Sequence, residues 1–148
     1  MPKTTIRIIL GIIMMLGLIV SVSACKEEPG IEAGDEREYA DPITEDILIG
    51  MNENDYAKFS QYFDEAMKDA TPETTFVQMN AVLKQVIGDY VSKEFWKVEE
   101  QDIYTVVYYK AQYTKEPGDV EVKVFSHEIE GEMYVSGLWF DSPKLREQ

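Results

Sequence analysis

The sequence predicts an α+β domain: three helices packed on a curved antiparallel sheet of about four strands. Two observations carry this. From Ile43 to Ile87 apolar residues recur three or four apart, the spacing of one helix face. After Gly88 the period falls to two, the spacing of strands, and short turns separate the runs. A third observation bounds the domain at its start. Residues 8–20 are wholly apolar, and residues 25–41 are acidic with no apolar period.

The first element is an export signal. Lys3 and Arg7 form a basic start, and Ile8 to Val20 is an uncharged apolar run. A secretory signal needs an apolar stretch of about 7–15 residues and small residues at the cleavage site. A permanent span wants about 20 apolar residues, and Ser21 and Ser23 weaken the far end of this one. Val22-Ser23-Ala24-Cys25 resembles the lipobox of prokaryotic lipoproteins: an aliphatic residue, two small residues, then cysteine. That resemblance implies cleavage after Ala24 and a diacylglyceryl group on Cys25, and two acyl chains hold a membrane stably. The rival is an uncleaved N-terminal anchor with an incidental cysteine. Both place the domain on the extracytoplasmic face of a cell membrane.

Residues 25–41, rich in Glu, Asp, Gly and Pro, cannot bury enough surface to offset ordering entropy and read as a flexible tether. The domain then spans 42–142, with 143–148 as a frayed tail. Asp41-Pro42 suits a helix start, with Asp as cap and Pro in the first turn. Ile43, Ile47 and Met51 share one face of that helix. Tyr56, Phe59, Phe63 and Met67 form the stripe of a second helix over Asp55 to Asp69. A third starts at Thr71-Pro72, with Phe76, Met79, Leu83, Val86 and Ile87 as its stripe and Gly88 at its end.

Tyr90 to Val98 is a strand or an irregular lead-in. Ile103 to Thr114 is a strong strand, with Ile103, Val107, Tyr109 and Tyr113 on one face and Tyr104, Val106 and Tyr108 on the other. Glu116-Pro117-Gly118-Asp119 reads as a turn before Val120, Val122 and Val124. Glu130-Gly131-Glu132 turns the chain into Met133 to Phe140. Short connections make consecutive strands antiparallel neighbours.

Asn54-Asp55-Tyr56-Ala57-Lys58-Phe59, Phe63-Asp64-Glu65-Ala66-Met67, Gly88 before the aromatic strands, and Gly137-Leu138-Trp139-Phe140 together resemble a domain-of-unknown-function family of secreted prokaryotic lipoproteins. The resemblance covers about residues 43–142. It implies a cone-shaped fold similar to nuclear transport factor 2 and ketosteroid isomerase, and it brings no activity with it.

Composition excludes several functions. With 14 basic and 28 acidic residues the net charge is −14, and losing Lys3 and Arg7 with the signal makes the mature chain more acidic still. Nucleic acid, whose phosphates need basic partners, is not expected. The single cysteine leaves the mature domain without an internal disulfide. One histidine, His127, cannot assemble a zinc site alone, so no metal and no cofactor are expected. His127 stands beside Ser126 and Glu128 without a nucleophile elbow. No catalytic residue is assigned, and Asp64 and Asp102 read as solvated.

The aromatic strands are the informative oddity. Apolar residues face both ways near Val106-Val107-Tyr108-Tyr109 and Leu138-Trp139-Phe140, so something should cover the second sheet face. Closure of the sheet on itself, a homodimer or protein partner, and a binding groove are the alternatives. The candidate pocket or interface residues are Phe63, Met67, Tyr104, Tyr108, Tyr109, Leu138, Trp139 and Phe140, and Cys25 is the lipidation site. The expected function is that of a membrane-anchored envelope lipoprotein with a non-catalytic domain for a protein partner or a small apolar ligand. The alternatives are a cone-fold enzyme acting on a small hydrophobic substrate and a structural accessory subunit of an envelope complex.

Overall fold

The computed structural model describes residues 34–148. The expected export signal, Cys25 and most of the expected tether lie outside the described residues. The chain forms α1 (Asp35–Glu53), α2 (Tyr56–Ser60), α3 (Glu65–Ala70) and α4 (Glu73–Val86), then β1 (Tyr90–Gln101), β2 (Tyr104–Tyr113), β3 (Glu116–Ile129) and β4 (Glu132–Asp141), and ends in α5 (Pro143–Arg146). The strands make one antiparallel sheet in the order β1-β2-β3-β4. Bulges interrupt the ladders at Tyr90/Ser92, Phe95/Lys97, Ala111/Tyr113 and Phe125/Ser126, and bulges bend the strands that carry them.

The α+β class and the four-stranded meander are as expected, but the helices differ. The first starts at Asp35, well before Asp41-Pro42, and Pro42 lies inside it. A proline there removes a helix hydrogen bond, so tertiary contacts must hold the extra turns. They do: Ala40 is buried, Tyr39 packs on the core, and the Arg37 guanidinium lies 4.7 Å from the Phe95 ring centre. The end of the expected tether is therefore part of the domain.

The expected second helix is two. Between α2 and α3 the chain docks on the free edge of β4, where Phe63 bridges Val135 in parallel. Asp64 N–H donates to Val135 C=O at 3.0 Å, and Val135 N–H donates to Tyr62 C=O at 2.8 Å. Asp64 then caps α3 by accepting from the Met67 N–H at 2.7 Å. Thr71 closes α3 instead of capping α4, its N–H donating to the Met67 C=O at 2.9 Å, and α4 begins after Pro72 with no side-chain cap.

The turn expected at Glu116–Asp119 belongs to β3, and the chain reverses at Thr114-Lys115 instead. Glu116 is buried, pairs with Tyr113, and its carboxylate accepts from the Lys144 N–H at 3.2 Å. The tail expected to fray is the short helix α5, capped by Ser142 and seated by Leu145 against the core. Gly88 ends α4 at φ 87°, where a Cβ would overlap the Thr114 hydroxyl. Gly50 lets α2 approach α1: a Cβ there would sit 2.7 Å from the Phe59 nitrogen.

The core lies between the helices and one sheet face. Ile47, Leu48, Phe59, Phe63, Phe76 and Ile87 meet Val107, Tyr109, Val120, Val122 and Val124, all shut off from solvent. Phe59 stands edge-on to Phe63, with ring centres 4.9 Å apart, and packs on Phe76 at 4.4 Å. Tyrosines pin α1 from its rim. Tyr109 donates to Asp41 at 2.8 Å, Tyr90 to Glu45 at 2.8 Å and Tyr62 to Asp46 at 2.9 Å. Asn52 pairs with both backbone groups of Tyr90, at 2.8 and 2.9 Å, tying the end of α1 to the first residue of β1.

Candidate functional site

The expected pocket residues divide between the two sheet faces. Phe63, Tyr109, Leu138 and Phe140 point to the helices and belong to the core or its margin, and Met67 packs there from α3. Tyr104, Tyr108 and Trp139 lie on the outer face. They do not form one pocket.

Register explains the outer face. Lys97 pairs with Tyr108, Tyr108 with Lys123, and Lys123 with Trp139. Trp96 is the extra residue of the β1 bulge between Phe95 and Lys97, and the bulge turns its ring to the same row. One line thus crosses the whole sheet, from Trp96 through Tyr108 and Lys123 to Trp139. Its middle is covered by its own side chains. Tyr108 is buried outside the helix-facing core, because lysine stems lie across its ring. Lys97 Nζ is 4.3 Å and Lys123 Nζ 5.3 Å from the Tyr108 ring centre. Lys110 Nζ is 4.9 Å from that of Trp96.

The same cover sets the local electrostatics. Desolvation, helped by a 2.6 Å bond to Glu99, pushes the Tyr108 hydroxyl up to about 12. Glu99 is held below the usual carboxylate range by Lys97 and then by Tyr108. The ends of the row stay open: Trp96 is 44% exposed and Trp139 is 58% exposed. Beside Trp96 a shallow cleft of about 180 Å³ is walled by Lys110, Glu121, Asp141 and Arg146.

A second feature sits where the β3–β4 hairpin meets α3. A cleft of about 550 Å³ is lined by Phe63, Asp64, Lys68, Ile129 and Tyr134. Ser136 donates to Asp64 Oδ2 at 2.7 Å, and His127 Nδ1 stands 2.6 Å from the same hydroxyl. Asp64 is not solvated as its sequence context suggested, since its side chain is only 11% exposed. Asp102, at a turn with φ 60°, is exposed as expected.

A serine, a histidine and an aspartate in contact invite a triad reading, but the order is wrong. The serine hydroxyl has one proton, and Asp64 receives it. His127 Nδ1 must then be the donor to Ser136. In a nucleophilic triad the imidazole accepts from the serine and donates to the carboxylate. Here the hydroxyl is a relay that holds the hairpin to α3, and nothing activates it for attack.

The tyrosine–carboxylate pairs do not make a catalytic dyad either. Asp41 and Glu45 are a third or more exposed on the rim of α1. Among the described residues no group of three His, Cys, Asp or Glu side chains is placed to hold a metal, and no helix is long and apolar enough to cross a membrane.

The sequence did not single out Trp96, the three lysines or Ser136. A bulge cannot be seen in a strand pattern, and Lys97, Lys110 and Lys123 look like ordinary solvated positions until the register stacks them on rings. Asp64 did carry a signal, since an Asp three residues before Met67 in a helical stretch is a cap pattern.

A family described as a protein of unknown function, DUF3887, matches residues 44–130. That span is more than half of the chain and runs from α1 to the end of β3, and the chain belongs to this family. No curated protein and no solved structure gives a match.

Proposed function

We propose that this chain is a lipid-anchored, extracytoplasmic lipoprotein whose domain, a cone like that of nuclear transport factor 2, binds rather than catalyses. The observation that carries the binding reading is the exposure of Trp96 and Trp139 on the sheet face away from the core helices. An exposed indole joins a large apolar area to a polar N–H, which suits a contact surface. The anchoring half rests on Val22-Ser23-Ala24-Cys25 and the basic start before it. The catalytic alternative draws less support, because the paired carboxylates lie on a rim and the His127–Ser136–Asp64 chain runs in the wrong direction. A small apolar ligand has a second place to go, the cleft floored by Phe63 and Ile129.

Fractionation of cells expressing the full chain tests the anchor. The protein is expected in the membrane fraction, and Cys25→Ser is expected to prevent signal removal and leave a longer, unlipidated chain. A Cys25→Ser protein of unchanged length and unchanged behaviour in detergent phase separation would overturn the reading.

A further inference from the structure

We propose that the outer sheet face binds a linear, uncharged glycan lying across the strands from Trp96 to Trp139. The proposal rests on the reading of this face as the contact surface and names what it contacts.

The geometry comes first. The two exposed indoles end one cross-strand row, on β1 and on β4, with β2 and β3 between them. Three strand spacings of about 4.8 Å put them roughly 14 Å apart along the row. A ligand touching both must be extended, and it must present a flat apolar surface at each end. Sugar rings offer such surfaces in the C–H groups of their faces.

Chemistry between the rings narrows the choice. The space holds ammonium donors of Lys97, Lys110 and Lys123 next to carboxylate acceptors of Glu99 and Glu121. A hydroxyl is both donor and acceptor, so a polyol satisfies both kinds of group at once. The shallow cleft beside Trp96, where Lys110, Glu121, Asp141 and Arg146 meet, would take a terminal sugar in the same way.

Charge decides against the competitors. On a chain of net charge −14, most cations of this face are matched to acids: Lys97 with Glu99, Lys123 with Glu121 at 2.9 Å, and Arg146 with Asp141, while Lys110 lies on the Trp96 ring. Such a patch gives no strong field to capture an ion and does not repel a neutral chain. A second copy fits less well, because lysine occupies the centre of the row and is depleted from protein interface cores. An anionic bilayer would repel so acidic a chain.

The test uses full-length protein in detergent. Chitohexaose, cellohexaose and laminarihexaose are titrated in turn, with tryptophan fluorescence and calorimetry as readouts. At least one is expected to bind with a change in indole emission. Trp96→Ala and Trp139→Ala should each weaken it about tenfold. Trp96→Phe and Trp139→Phe, which keep a ring, should weaken it less and show that the alanine effect is not a folding loss. No heat and no emission change with any of the three at millimolar concentration would overturn the proposal. Binding that survives both alanine substitutions together would overturn it equally. Neither result touches the anchoring reading, which the Cys25→Ser fractionation judges alone.

Discussion

Asp64 uses both carboxylate oxygens, one on the Met67 N–H and one on the Ser136 hydroxyl. Losing a helix cap costs about 1 kcal/mol, and orphaning a mostly buried hydroxyl costs about as much again. Asp64→Ala is therefore expected to lower unfolding stability by about 2 kcal/mol. Ser136→Ala should cost less, and the double variant should cost less than the sum of the two. Urea unfolding of the four proteins checks this. Strict additivity would show that the Asp64–Ser136 bond contributes nothing. The cap half of this arrangement is local, but the apolar stripe that continues from Tyr56 to Met67 hides the break between α2 and α3 that makes Asp64 a cap. The Ser136 half is hidden because the two residues are 72 positions apart and meet only when the chain docks on the edge of β4. The lysines over Trp96 and Tyr108 were hidden for the same reason.

At the scale of elements, α1 shows where local signals mislead. Asp41-Pro42 has the chemistry of a helix start, yet the helix begins at Asp35. Local propensity yields here to Arg37 on Phe95 and to the burial of Ala40. A chain beginning at Asp41 should thus melt several degrees below one beginning at Gly34, since even a single kcal/mol shifts a domain of this size by about 4 °C. Equal melting temperatures would return residues 34–40 to the tether. The sheet was more legible than the helices. Its turns at Glu130-Gly131 and its period-two runs are local features, and only the turn at Glu116–Asp119 was misplaced. Pro and Gly there fit a turn in isolation, but the buried Glu116 carboxylate fastens that segment to the start of α5.

At the scale of the molecule, tyrosine does much of the joining between sheet and helices, and this gives stability an alkaline limit. Desolvation is the leading cause that raises the hydroxyls of Tyr90, Tyr109 and Tyr113, as it does that of Tyr108. A folded-state value raised above the unfolded one contributes stability that is fully present below the unfolded pKa of about 10 and is lost as pH rises from there toward the folded value. Unfolding free energy should hold steady between about pH 7 and 9.5 and then fall steeply, as the unfolded chain releases tyrosine protons that the fold retains. Chemical denaturation across that range, read beside the ultraviolet absorbance of tyrosinate, checks it. Tyrosines ionising at their ordinary value while the protein stays folded would contradict the assignment.

The proposed function rests on one premise, that Cys25 carries a lipid that holds the domain outside the cytoplasm. Intact-mass spectrometry of the protein extracted from membranes tests that premise most directly. The expected species begins at Cys25 and carries the added mass of a diacylglyceryl group. A species that still begins at Met1, with no lipid mass, would contradict it.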